Sequence, residues 1–210
     1  MALREIVPGI FHWTALHEPI RAPVSSYYVQ PAGVVLDPKV PDEGLDALPG
    51  RPQQVVLTSG HHLRDGQRFA EAFDIPIRAS SAAAAHIGDA AAIEPLYDGD
   101  VQRTLGLRQR PDVDRRHARR DLVAVGEGAI AFGDALNRYG EALSFLPDGL
   151  LGDDPQRVKE ALRQALKGLL TRDFDHLLFA HGDPLVGGGK SALRDFIASP
   201  VGEEDFGQSL

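Results

Sequence analysis

The sequence predicts a mixed α/β fold of the α+β kind, and three observations carry that expectation. Short β-branched and aliphatic runs alternate with amphipathic helical stretches. Several of the apolar runs stop at Gly, Asp or His, as strands do when they leave a core. At 210 residues and 43% apolar content, the chain is long enough to bury a sizeable core within one domain. The order is a β-rich first half, a helix, a β-rich middle, a helix, a strand and a last helix. One domain over 1–210 is expected, with about 200–210 as a frayed tail.

Taken in order, "VSSYYVQPAGVVLDP" (24–38) reads as two strands around a Pro-Ala-Gly turn, because β-branched and aromatic residues flank the turn signal. "QQVVLTS" (53–59) is a short apolar strand. "RDGQRFAEAF" (64–73) places Phe69, Ala70 and Phe73 at helical spacing. "IPIRAS" is a further strand, while "SSAAAAHIGDAAA" fits either a helix or a loop. "DLVAVGEGAIAFGDAL" puts Gly126-Glu127-Gly128 between two apolar runs, as in a hairpin whose second strand ends at Gly133-Asp134. "DDPQRVKEALRQALKGLLTRD" (153–173) has an Asp cap, a proline in its first turn, and Val158, Leu162, Ala165, Leu166 and Leu169 on one face. "HLLFAHGDP" is a buried strand ending at His181, followed by the helix "KSALRDFIA".

Composition narrows the function. A formal charge of −8, from 30 acidic against 22 basic residues, repels a nucleic-acid backbone or an anionic bilayer. No stretch has the apolar length of a membrane span, and the N-terminus lacks a signal-peptide pattern, so a soluble, cytoplasmic protein is expected. The absence of cysteine excludes disulfides, thiolate catalysis and sulfur ligation; a transition metal would have to use imidazole and carboxylate groups. The expected partner is a small molecule, and nothing in the sequence fixes the oligomeric state.

His61, Asp134 and His181 each come at or just past the end of an apolar strand, where three such ends can converge on a site. "DGDV" at 98–101, "FGD" at 132–134 and "FAHGDP" at 179–184 complete a pattern. In it the chain resembles the metallo-β-lactamase fold superfamily, particularly its glyoxalase II-like hydrolases, across most of residues 5–197. The family pattern is a strand ending in T-H-x-H-x-D-H, a "DGD" turn, a "PGH" loop, a hairpin ending in "GD" and a last strand ending in "HGD". The resemblance implies a four-layer αβ/βα sandwich of two mixed sheets flanked by helices, with the site between the sheets at one edge.

The first motif departs from the family. Aligning "LTSGHHLRD" on Leu57 and Thr58 puts Ser59 on the first metal histidine, His61 on the second, Leu63 on the aspartate and Arg64 on the last histidine. His117 of "DRRHARRD" falls near the loop histidine. The resemblance therefore implies metal ligands among His61, His117, Asp134 and His181, with His62 and Asp65 of "HHLRD" one position away. It implies one zinc or iron ion, or none, because neither half of the family's pair keeps a full ligand set.

Arg64 cannot ligate; it brings fixed positive charge to the place of the second metal and, with Asp134, is the expected catalytic residue. It either receives an anionic group or pairs with a carboxylate. Two functions follow. One is hydrolase-like, with one-metal hydrolysis of an ester, thioester or lactone. The other is a non-catalytic ligand- or partner-binding protein that has lost the dinuclear centre.

Two other features have plain alternatives. "VGGGKSAL" resembles the end of a phosphate loop, but Pro184 stands where the required glycine belongs, and a turn opening the last helix is the simpler reading. Arg115, Arg116, Arg119 and Arg120 concentrate charge that suits either an anion or a solvated loop. His12, His17, His86 and His176 have no motif context.

Overall fold

The computed structural model describes residues 2–96, 122–125 and 128–199. "DGDV", His117, the four neighbouring arginines, part of the Gly126–Gly128 turn and the 200–210 tail lie outside the described residues.

Short apolar runs, buried on both faces at the centre, build two sheets. Seven strands form the larger one in chain order: β1 (Arg4–Val7), β2 (Ile10–His17), β3 (Ala22–Val29), β4 (Val34–Leu36), β5 (Gln54–Leu57), β6 (Ile77–Ala79) and β7 (Ile93–Pro95). β1 to β4 pair antiparallel, and β4 to β7 parallel, so the sheet is mixed. The smaller sheet runs β12 (His176–Phe179), β9 (Ala129–Phe132), β8 (Leu122–Val125), with β12 and β9 parallel and β8 antiparallel to β9. A hairpin of β10 (Asn137–Tyr139) and β11 (Ala142–Ser144) is bridged from Arg138 to Gly182, just beyond β12.

Alternate residues face opposite layers. Tyr27, Val29, Val34, Leu36 and Val56 of the large sheet meet Ala129, Ala131 and Leu178 of the small one, which makes the central core. Tyr28, Val35, Val55 and Leu57 point the other way, under helices α1 (Gly66–Phe73) and α2 (Ser81–Ile87). Ile130, Phe132, Leu177 and Phe179 pack beneath α3 (Pro155–Leu169) and α4 (Gly189–Ala198). The result is the four-layer αβ/βα sandwich.

The helices depart from or settle the expectation for physical reasons. α1 starts two residues late because Arg64 is left-handed, at φ 43°, and the Asp65 carboxylate is taken by the Val40 amide at 2.8 Å. The ambiguous alanine run is helical, capped by Ser80, whose hydroxyl accepts from the Ala83 amide. α3 packs the expected face, with Leu166 and Leu169 buried and Val158, Leu162 and Ala165 half-buried, and adds buried Lys159 and Arg163 beside it; Arg163 donates to the carbonyls of Phe196 and Ile197 at the end of α4. No helix among the described residues is long and apolar enough to cross a membrane.

Candidate metal centre

The parallel pairing of β12 and β9 sets Phe179 opposite Phe132, so Asp134 and His181, each two residues further on, leave the sheet at the same level. On the large sheet β4 and β5 are also parallel, and Asp37 and Thr58 follow their ends. The two sets of ends touch where Gly133 lies against Thr58: a Cβ on Gly133 would sit 2.6 Å from Thr58 Oγ1. Only glycine allows this approach without displacing the loop.

His62, not His61, enters the junction. Its ring is 4% exposed, with Nδ1 3.0 Å from Asp37 Oδ2 and Nε2 3.3 Å from Asp134 Oδ1. His181 Nε2 lies 3.3 Å from the same Asp134 Oδ1. The other oxygen of Asp134 accepts from the Ser59 hydroxyl at 2.8 Å. Asp37 is buried and also accepts from the Thr58 amide at 2.7 Å and from the Thr58 hydroxyl.

The electrostatics follow from this packing. Burial alone would lower the His62 pKa, but the Asp37 charge and hydrogen bonds to Asp134 and Asp37 raise it to about 9. Burial alone would raise Asp134; hydrogen bonds from His181 and His62, the His62 charge and Ser59 override it and hold the group well below the usual carboxylate range. Asp37 is likewise lowered against its burial, chiefly by His62.

The other expected residues are placed elsewhere. His61 is exposed and packs edge-on against the His86 ring, with centroids 4.1 Å apart. A turn closed by the His62 amide on the Ser59 carbonyl, at 3.1 Å, sends the adjacent histidines to opposite sides. Asp65 is occupied by Val40 and by Lys39, 3.3 Å away. Leu63 joins the apolar layer under α1. Arg64, expected against a carboxylate, instead donates to the backbone carbonyls of Ser25 and Asp37, both at 2.7 Å, and of Ala180 at 3.4 Å. It thus spans the two sheets. The phosphate-loop alternative fails because the amides of Gly187, Gly188 and Gly189 already serve His176 Nδ1, the Asp175 carboxylate and the Asp175 carbonyl.

Asp37 and Ser59 are the residues that the sequence reading missed. Asp37 follows the run "VVL" as Asp134 follows "IAFG", so the strand-end signal was present.

His62, Asp134 and His181 offer two imidazole nitrogens and a carboxylate oxygen, all within 4.8 Å of one another. Ligand atoms about 2.05 Å from a tetrahedral ion are about 3.3 Å apart, the separation of both nitrogens from Asp134 Oδ1. Asp37 behind His62 supplies the carboxylate that orients a metal-binding imidazole. The donor set therefore suits one divalent metal ion. Among the described residues no comparable set exists for a second ion.

No protein-family model matches the chain, and no curated protein matches it. Solved structures do. A metallo-β-lactamase from Erythrobacter litoralis superposes with a TM-score of 0.57 at 14% identity, covering 93% of this chain and 95% of that one. The metallo-β-lactamase FIM-1 from Pseudomonas aeruginosa, in its mono-zinc form, gives 0.57 at 13%, covering 94% and 96%. A metallo-β-lactamase from Pontibacter korlensis gives 0.54 at 12%, covering 92% and 98%. A flavo di-iron protein mutant from Thermotoga maritima gives 0.55 at 14%, covering 93% of this chain and 60% of that one. With the sheet order and four layers described above, these likenesses establish that the chain has the metallo-β-lactamase fold.

Proposed function

We propose that the protein holds one divalent metal ion through His62, Asp134 and His181 and hydrolyses a small ester, thioester or lactone. The observation that carries this reading is the pair of 3.3 Å separations around Asp134 Oδ1, with Asp37 behind His62. When bound, the ion supplies Lewis acidity and lowers the pKa of a water molecule. The chain's own groups prepare that chemistry. Asp37 accepts the Nδ1–H of His62 and leaves Nε2 aimed at Asp134. Ser59 occupies one oxygen of Asp134 and leaves the other for the ion. Arg64, fixed to carbonyls at the seam, adds positive charge that favours an anionic or strongly polarised substrate.

A second reading has an observation of its own. The cluster is already satisfied by a charged His62 between Asp37 and Asp134, which suits a metal-free ligand-binding site. Elemental analysis of protein purified without chelator or a histidine tag separates the two. Close to one zinc or iron per chain, with ester, thioester or lactone turnover lost on chelation and restored by metal, supports hydrolysis. Retained ligand binding with no metal and no turnover supports the alternative.

A further inference from the structure

The position of His181 depends on four consecutive backbone carbonyls. Phe179 O accepts from the Tyr27 hydroxyl at 2.8 Å, Ala180 O from the Ser25 amide at 3.0 Å, His181 O from the Arg138 amide at 3.2 Å, and Gly182 O from the Ser25 hydroxyl at 2.9 Å. Ser25 therefore grips the carbonyls on both sides of His181. Its single hydroxyl proton is committed to Gly182 O, since a carbonyl can only accept. His12 Nε2, 3.0 Å from Ser25 Oγ, must then be the donor in that contact.

His12 is fully buried, and burial, with Arg4 adding, pulls its pKa to about 4, so the ring is neutral with one N–H. Its ring also stacks on Tyr27, with centroids 4.9 Å apart, so β3 fixes the donor as well as the acceptor. A serine hydroxyl otherwise rotates among partners; here a donor on one side and an acceptor on the other leave it one orientation.

We propose that Ser25, oriented by the buried imidazole of His12, is a positioning residue that sets His181 at ligand distance from the Asp134 side of the metal centre. The proposal rests on the metal-site reading above. Without the hydroxyl, the Gly182 carbonyl loses its partner and the turn carrying His181 is released on one side. Outer contacts of this kind are worth about 10- to 100-fold in metal affinity.

The test compares Ser25→Ala, Ser25→Thr, His12→Phe and His12→Gln by cobalt titration followed in the visible spectrum, zinc competition, urea unfolding, and nitrogen-15 NMR of the His181 ring in metal-free protein. Ser25→Ala and His12→Phe are expected to weaken cobalt binding about 10- to 100-fold. They should also change the cobalt spectrum and shift or broaden the His181 signals. Ser25→Thr keeps the hydroxyl and His12→Gln keeps a side-chain N–H, so both should stay near wild type. Wild-type affinity and unchanged His181 signals in Ser25→Ala, or equal losses in the Thr and Ala variants, would overturn the proposal. If Ser25→Ala does not fold, the His12 pair decides. If wild type binds no cobalt, the metal reading fails, and the NMR comparison alone decides the positioning role.

Discussion

His62 sits buried between Asp37 and Asp134, and its charge governs the pH behaviour of the metal-free protein. A histidine raised to about 9 contributes its stability fully below the unfolded value of about 6.5 and loses it as pH rises through 9. Asp37 and Asp134, both lowered, contribute above about pH 4 and lose that contribution in acid. Because buried His12, lowered to about 4, favours unfolding as pH falls below about 6.5, metal-free protein should be most stable near about pH 6.5 and lose about 3 kcal/mol by pH 10, read as urea midpoints in chelator. His62→Gln should flatten the alkaline limb. Asp37→Asn should cost about 3–5 kcal/mol, because it leaves one side of a buried pair unopposed; a loss below 1 kcal/mol would contradict the buried ion pair. The residue scale is also where the sequence was least legible. Nothing in "HHLRD" says which histidine turns inward, since that is set by the turn at Ser59 and the left-handed Arg64, neither of which has a side-chain signature. Asp134 and His181 were legible because each ends an apolar strand.

At the scale of elements, the site is a coincidence of strand ends brought together by close backbone approaches. Gly182 shows how strict this is: at φ 98° a Cβ would lie 1.7 Å from the Arg138 carbonyl oxygen. Gly182→Ala should thus destabilise by about 3 kcal/mol or more and abolish metal binding, whereas Gly149→Ala, where a Cβ would meet nothing within 4 Å, should stay within about 0.5 kcal/mol. Denaturant unfolding of the two variants makes the comparison. The β3–β4 hairpin, β5, β6, β9, α3 and β12 were legible from period and punctuation. β1 and β2 were not legible, although Ile10, His12 and Trp13 are buried, because buried and half-buried positions in "IFHWTALH" do not alternate and two histidines interrupt the apolar run. The β10–β11 hairpin was missed for lack of a long apolar run.

At the scale of the whole molecule, the proposed metal site would link folding to metal binding, since its candidate ligands come from both sheets and only the folded chain presents them together. Zinc at about 100 times its dissociation constant should add about 2.7 kcal/mol to stability in wild type and none in His181→Ala, a difference visible in thermal denaturation. The two-sheet core was legible only through the family resemblance; that Ala129 and Ala131 would share one cluster with Tyr27 and Val29 was not, because it depends on how the sheets meet. Arg64 joins Ser25 and Asp37 of one sheet to Ala180 of the other, and Tyr27 and Ser25 reach across beside it, so the site end of the seam is laced by polar bonds rather than closed by side-chain packing alone. In amide exchange, the protons of Phe179 and Ser25 should consequently be among the slowest, exchanging only through global unfolding, because each is donated across the seam, to the Tyr27 hydroxyl and the Ala180 carbonyl, and freeing either requires the two halves of the sandwich to part.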